Sequence, residues 1–426
     1  MRTSASPIQT RRPRRQLPLL SACVLTVIAL CAAARAQEGD LAGSAGVFIE
    51  PKRGREAATR ERGEPKRTTP RRARTKPAAP STANTRPAAT NTKAAPAVTA
   101  ESLNARGAAA IDAGRFDDAV EPLRQALKLK PDFADAHYNL GVALGATGRQ
   151  DEAIESFRRA AAIDPNDSEA QFDLGEALYA KGKYAEAAEA FAHVTRVAQV
   201  NAEAFENLGD SYSALKRHAE AAAAYRDAAR LKTGDAEVLQ KLGYALGRSK
   251  QWPEATDALK KALALRPDNA EAVVNLSWVY NQSGQYRASI DMLRPFVAAH
   301  PDSTDALFNL GTAYGHLAQK GARGDKEKKA LLAQAVETLN QVIRLKPDWP
   351  EARNNLGFAL GSLGRYKEAI PEHAEAVRLK PDYAGALFNL AYAYKKSGDK
   401  KMALETHKRL QAINPGMAER LYPLVK

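Results

Sequence analysis

Residues 134–167 read ADAHYNLGVALGATGRQDEAIESFRRAAAIDPND, and residues 168–201 continue as SEAQFDLGEALYAKGKYAEAAEAFAHVTRVAQVN. A Leu-Gly pair, an inner glycine, an alanine, and a phenylalanine fall at the same places in both. Self-similarity at a fixed period of this length marks a repeat array, in which no unit buries its apolar face alone. With Ala134 as position 1, the register covers nine repeats: 100–133, 134–167, 168–201, 202–235, 236–269, 270–303, 304–349, 350–383, and 384–417. The repeat 304–349 carries twelve extra residues. Position 7 is leucine throughout except at Arg106, and position 8 is glycine except at Ser277 and Ala391. Position 20 is alanine except at Ser289, and position 32 is proline except at Gln199 and Thr233.

Each recurring position has a physical reason. Leu239, Leu242, and Leu246, at positions 4, 7, and 11, form one apolar stripe of a helix. Ala255, Leu259, and Ala262 begin the same pattern again on a second helix. The small residues at positions 8 and 20 let the two helices approach, and a larger side chain there would overpack. Gly114, Gly148, Gly182, Gly284, Gly364, and Gly398 lie between the helices, where a left-handed cap residue is wanted. The proline at position 32 ends the second helix, and an acidic or polar residue after it starts the next. Without their prolines, the joints at Gln199 and Thr233 are expected to be looser or helically extended. Arg106 suits a terminal repeat facing water. The fold class is all-α, a solenoid of antiparallel helix pairs sharing one continuous core. Residues 418–426 are expected to cap it, with Leu421 covering the last repeat and Pro423 stopping any helix early.

This pattern resembles the tetratricopeptide repeat (TPR) over 100–417. The resemblance implies a right-handed superhelix with a concave groove lined by the first helices. Position 6 of successive repeats is Asn139, Asp173, Asn207, Asn275, Asn309, Asn355, and Asn389, with Ala105 and Lys241 as exceptions. In the TPR region of O-linked N-acetylglucosamine transferase, which this stretch resembles, asparagines at this place form a ladder gripping an extended peptide. An amide offers both donor and acceptor and so matches peptide backbone. The other reading is ordinary repeat consensus facing water. The chaperone-tail clamp of other TPR domains pairs Lys at position 5 with Asn at position 9, and no repeat here has that pair.

Two further columns carry double readings. Position 2 is acidic in eight repeats, from Glu101 to Glu351. It reads as a rail for a basic ligand or as acids favoured in a first helical turn. Aromatic residues at positions 5 and 9 (Tyr138, Phe172, Phe308, Phe388, Tyr244, Trp278, Phe358, Tyr392) read as ligand contacts or as packing. In the insertion, Gly321-Ala322-Arg323-Gly324 reads as a loop, with Asp325 capping a helix that runs to Lys346. Lys326, Lys328, and Lys329 make that edge basic, either as a contact site or as plain length variation.

No catalytic constellation is present: there is no glycine-rich phosphate loop, no G-x-S-x-G, and no H-E-x-x-H. His373 and His407 occupy position 24, a packed place, and read as core histidines. The two cysteines, Cys23 and Cys31, exclude a disulfide framework, a Cys-based zinc site, and an iron–sulfur cluster downstream. The expectation is a non-enzyme with no cofactor and no metal, whose partner is a protein or peptide.

The formal charge is +14, but residues 1–93 hold 19 Lys and Arg against 6 Asp and Glu, so the rest is nearly neutral. Residues 1–36 read as a signal peptide. Arg11, Arg12, Arg14, and Arg15 precede the apolar run Leu17–Ala33, and Ala34-Arg35-Ala36 fits cleavage before Gln37. The 18 residues from Leu17 to Ala34 also reach the length of an uncleaved anchor, and Leu20-Ser21-Ala22-Cys23 has the shape of a lipobox. Residues 37–99 form a basic Pro/Ala/Thr-rich spacer that cannot bury enough apolar surface to fold. Its basic residues, within 52–93, suit an anionic membrane or cell-wall surface. Nucleic acid is disfavoured, because no aromatics are interleaved for stacking. The expected setting is a bacterial export compartment, periplasmic or secreted, with or without a membrane tether.

Overall fold

A computed structural model describes residues 98–426, and the regular structure of these residues is helical throughout. The export segment and nearly all of the spacer, including its basic residues 52–93, lie outside the described residues. The helix pairs of successive repeats are α1 (Ala100–Asp112) and α2 (Phe116–Leu129), α3 (Ala134–Ala146) and α4 (Gln150–Ile163), and α5 (Ser168–Ala180) and α6 (Tyr184–Val197). They continue with α7 (Ala202–Ala214) and α8 (His218–Leu231), α9 (Ala236–Arg248) and α10 (Trp252–Leu265), and α11 (Ala270–Gln282) and α12 (Tyr286–Ala299). Then follow α13 (Thr304–Lys320) and α14 (Asp325–Leu345), α15 (Pro350–Ser362) and α16 (Tyr366–Leu379), and α17 (Ala384–Ser397) and α18 (Lys400–Ile413), before a closing α19 (Pro415–Val425). The described residues form two compact bodies, 98–296 and Val297–Lys426.

The second repeat shows how the sequence makes a hairpin of helices. At the end of α3, the Arg149 N–H reaches back to the Leu144 carbonyl at 2.9 Å while Gly148 takes φ +80°. That left-handed value costs a residue with a side chain roughly 1–2 kcal/mol. Gly114, Gly182, Gly284, Gly364, and Gly398 take it as well, whereas Lys216 (φ +60°) and Lys250 (φ +64°) do so in the fourth and fifth repeats. The chain then returns as α4 and presses Phe157 onto Gly141, where a Cβ would stand 2.7 Å from the ring. The same contact joins Gly107 to Leu123, Gly175 to Phe191, Gly209 to Tyr225, and Gly243 to Leu259. Position 24 is thus the knob and position 8 its socket, and a fully buried Leu or Phe contributes about 1.5–3 kcal/mol.

In the body 98–296, each second helix from α2 to α10 also packs on the first helix of the next repeat. First helices touch first helices, as α1 touches α3, α5 touches α7, and α9 touches α11. In the body Val297–Lys426, consecutive helices from α13 to α19 pack in the same way, and α13, α15, and α17 touch in series.

Three local expectations need correction. The joints at Gln199 and Thr233 are not helically extended: α6 and α8 stop at Val197 and Leu231, in register with Leu129 and Ile163. The following cap supplies the break, since Asn201 Oδ1 accepts from the Ala204 N–H at 3.0 Å and Asp235 Oδ1 from the Glu237 N–H at 2.9 Å. Asp325 does not cap α14. Gly324, at φ +108°, holds the cap position and Asp325 is the first helical residue, while Glu327 accepts from the Arg323 N–H. Pro423 does not stop the last helix, for α19 continues through it to Val425. Stopping there would return Val425 to water, whereas it is fully buried with Leu421 against Leu387 and Leu410. Lys395 Nζ also bonds the Val425 carbonyl at 3.2 Å.

Candidate partner-binding face

The first helices carry the candidate columns at positions 2, 5, 6, and 9, whereas Lys326, Lys328, and Lys329 of the insertion lie on the second helix α14; the position-6 column decides how the first helices are held. Asn139 on α3 donates its amide to Asn104 Oδ1 on α1 at 2.9 Å. Asn389 on α17 donates to Asn354 Oδ1 on α15 at 3.0 Å, and Asn355 on α15 donates to Thr312 Oγ1 on α13 at 3.1 Å. Asp173 on α5 instead accepts from the Tyr138 hydroxyl on α3 at 2.9 Å. One rule covers all four: a position-6 side chain reaches back to position 5 or position 9 of the preceding repeat. The column does not face water as ordinary consensus would. Asn139, Asn275, and Asn309 are fully covered, Asn207, Asn355, and Asn389 retain 5–7% exposure, and Asp173 is half-buried.

Lys241, the exception in the column, obeys the same rule with charge. Lys241 is 2% exposed, and its ammonium lies 2.8 Å from Glu206 Oε1, at position 5 of the preceding repeat, and 3.1 Å from Asp210 Oδ1, at position 9. Glu237 Oε1 stands 3.8 Å away, Lys232 Nζ pairs with Glu206 at 2.8 Å, and the Tyr225 hydroxyl donates to Asp210 at 2.7 Å. Burial alone would lower the Lys241 pKa, but the Asp210 and Glu206 charges raise it above the ordinary lysine value. Burial would likewise raise Glu206, yet Lys241 and Lys232 hold it below the usual carboxylate range. Burial pushes Glu237 up, only partly offset by Lys241. Burial, followed by the Asp210 charge, lifts Tyr225 well above its usual value. The cluster is an ionic lock between α7 and α9. The lock is not evident from one repeat at a time, although the signal is there: Lys241 follows Glu206 by 35 residues, the offset of Asn139 from Asn104, and Asp210 by 31, the offset of Asn355 from Thr312 once the twelve-residue insertion is discounted.

The remaining columns separate clearly. The position-2 acids stand in first helical turns, and Glu101 and Glu351 pair with Lys130 at 3.3 Å and Lys380 at 3.5 Å. Tyr138, Phe172, Phe308, Phe388, Tyr244, and Trp278 are buried and belong to packing, while Phe358 and Tyr392 are only half-buried. His373 is buried at the position-24 knob, its Nδ1 3.1 Å from Asn354 Oδ1, and burial lowers its pKa to about 3. His407 is buried with Nε2 2.9 Å from the Ala418 carbonyl oxygen. Both therefore sit in the core.

Family models described as tetratricopeptide repeat match residues 104–168, 146–208, 202–235, 248–314, and 386–421, and one described as TPR repeat matches 359–398. Comparison with curated proteins finds no match. Among solved structures, the chain is similar to a thermophilic TPR protein in Thermus thermophilus, at 21% identity over 45% of this chain and 99% of that one, with a TM-score of 0.39. It is similar to MamA from Desulfovibrio magneticus RS-1 at 23% identity over 43% of this chain and 96% of that one, with a TM-score of 0.37. YrrB, a TPR protein with an unusual peptide-binding site, matches at 23% identity over 47% of this chain and 97% of that one, with a TM-score of 0.36.

Proposed function

The chain belongs to the tetratricopeptide-repeat family, and from that premise we propose that it is a non-enzymatic scaffold binding a partner protein or extended peptide on its first-helix face. The observation that carries this reading is the back-reaching column, which ties first helix to first helix before any ligand arrives. A face fixed in advance loses less conformational entropy on binding. Within the column, Asn207, Asn355, and Asn389 are the proposed contact amides, because they keep an exposed edge. Asn139, Asn275, and Asn309, fully covered, form the floor beneath them, and the half-buried Asp173 is a further proposed contact. The test is capture of the native partner by the full chain in its own host. The triple substitution Asn207→Ala, Asn355→Ala, Asn389→Ala should weaken capture while far-UV circular dichroism stays unchanged. Undiminished capture would remove the amides from the account.

The setting is proposed from sequence: export through residues 1–36, with the basic residues in 52–93 holding the scaffold against an anionic membrane or cell-wall surface. N-terminal sequencing of the native protein decides between two forms. A start at Gln37 gives a released scaffold, and retention of Leu17–Ala34 gives a tethered assembly factor. Nucleic-acid binding through the same segment is the weakest alternative, since stacking residues are lacking there.

A further inference from the structure

The insertion in the seventh repeat builds a wall that no other repeat has. The other first helices hold 13 or 14 residues where α13 holds 17, and α14 holds 21 where ordinary second helices hold 14. Gln319 lies in the added turn of α13 and Lys328 in the added turns of α14. Both line a cavity of about 220 Å³ in the body Val297–Lys426, together with Phe358, Tyr366, Tyr392, and the buried edge of His373. This volume is below the roughly 300–1,000 Å³ of clefts that take drug-sized ligands, so the cavity suits a single side chain.

Its chemistry is one-sided. Tyr366 and Tyr392 meet edge to face, with ring centroids 6.4 Å apart, and Phe358 stands beside them half-buried. Gln319 Nε2 donates to Ser362 Oγ at 3.0 Å, which fixes the wall. No acidic residue lines the cavity. Lys328 is half-buried, and no carboxylate among the described residues lies within ion-pair distance of it. His373 is held neutral by burial and adds no charge. Aromatic walls with one uncompensated cation select an apolar ring that carries a negative group.

Resting on the scaffold reading above, we infer that this cavity is a specificity pocket of the binding face, seating an aromatic side chain of the partner whose adjacent carboxylate pairs with Lys328. The added turns of α13 and α14 are then the device that closes a side-chain pocket over aromatic residues of the eighth and ninth repeats.

The test uses the full chain and three probes, N-acetyl-phenylalanine, N-acetyl-phenylalaninamide, and N-acetylglycine, titrated by ligand-observed NMR at pH 7.5. The acid should bind about tenfold more tightly than the amide, the effect of one charge-assisted hydrogen bond, and N-acetylglycine should not bind. Lys328→Met should erase the preference for the acid and leave the amide unchanged. Gly361→Leu should fill the cavity and abolish both, since a Cβ there meets nothing closer than 3.9 Å and so has room. Equal binding of acid and amide to the wild type, or absence of any binding, would overturn the pocket. Binding to Gly361→Leu that matches the wild type would do the same. Native-partner capture separates the two readings. If Gly361→Leu still captures the partner, the pocket fails and the scaffold stands; if the wild type captures nothing, the scaffold reading itself fails.

Discussion

Acid should loosen the body Val297–Lys426, and His373 is the group to watch. Its ring is 2% exposed, and burial takes its pKa from an ordinary 6.5 to about 3. The folded value lies below the unfolded one, so the unfolded chain takes up the proton first. Nothing is lost above pH 6.5 or so, and stability falls as the pH drops from there toward 3. Between pH 7 and pH 4 the loss from this one group is about 3 kcal/mol. His373→Leu provides the comparison, because Leu123, Leu259, and Leu339 already stand against glycine at the equivalent place. Urea unfolding of both full-length proteins at pH 7, 6, 5, and 4, followed by far-UV circular dichroism, cancels every other titrating group. The wild type should lose about 3 kcal/mol more than the variant across that range. Parallel losses in the two proteins would refute the assignment of a neutral, buried imidazole.

Three other changes act at places described above. Lys241→Met leaves Asp210 buried without its cation and Glu206 with Lys232 alone, and should cost about 3–5 kcal/mol; a urea midpoint close to wild type would count against an ionic lock. Lys250→Gly relieves a left-handed lysine and should stabilise by about 1 kcal/mol, read as a rise in Tm that Lys216→Gly should reproduce. Gly243→Leu puts a Cβ where Leu259 Cγ is 2.5 Å away. Overpacking of roughly 1–3 kcal/mol or more should then show as lost cooperativity in thermal unfolding, and an undisturbed transition would contradict the socket described here.

The helix pairs were legible because they rest on local, periodic signals. Gly141 and Phe157 announce their contact by recurring 34 residues later as Gly175 and Phe191, and the structure puts each ring on its glycine. The joints at Gln199 and Thr233 depart from expectation because proline is not needed to end the helix there: Asn201 and Asp235 do the same work from the other side. Pro423 was misread because its local penalty is visible in sequence and the burial of Val425 is not. The position-6 column was legible as a column but not as a set of bonds. Which neighbour Asn139 meets depends on how α3 is rotated against α1, and a repeat alignment read one unit at a time does not show that. Comparing residues 35 and 31 apart would have paired Lys241 with Glu206 and Asp210 at once.

Because Asn139, Asp173, Lys241, Asn355, and Asn389 each lean on the repeat before them, the stack has a grain. Within the body 98–296, cutting away the fourth repeat would take Glu206 and Asp210 from Lys241 and leave it Glu237 at 3.8 Å, while cutting away the fifth would leave Glu206 to Lys232 and Asp210 facing solvent. In both cases the scar falls on the seam between α7 and α9, but only the first leaves a cation on the surviving C-terminal piece. Fraying should therefore differ between the two ends of such an array, and trimming repeats from the N-terminal side should disturb the next repeat more than trimming from the other.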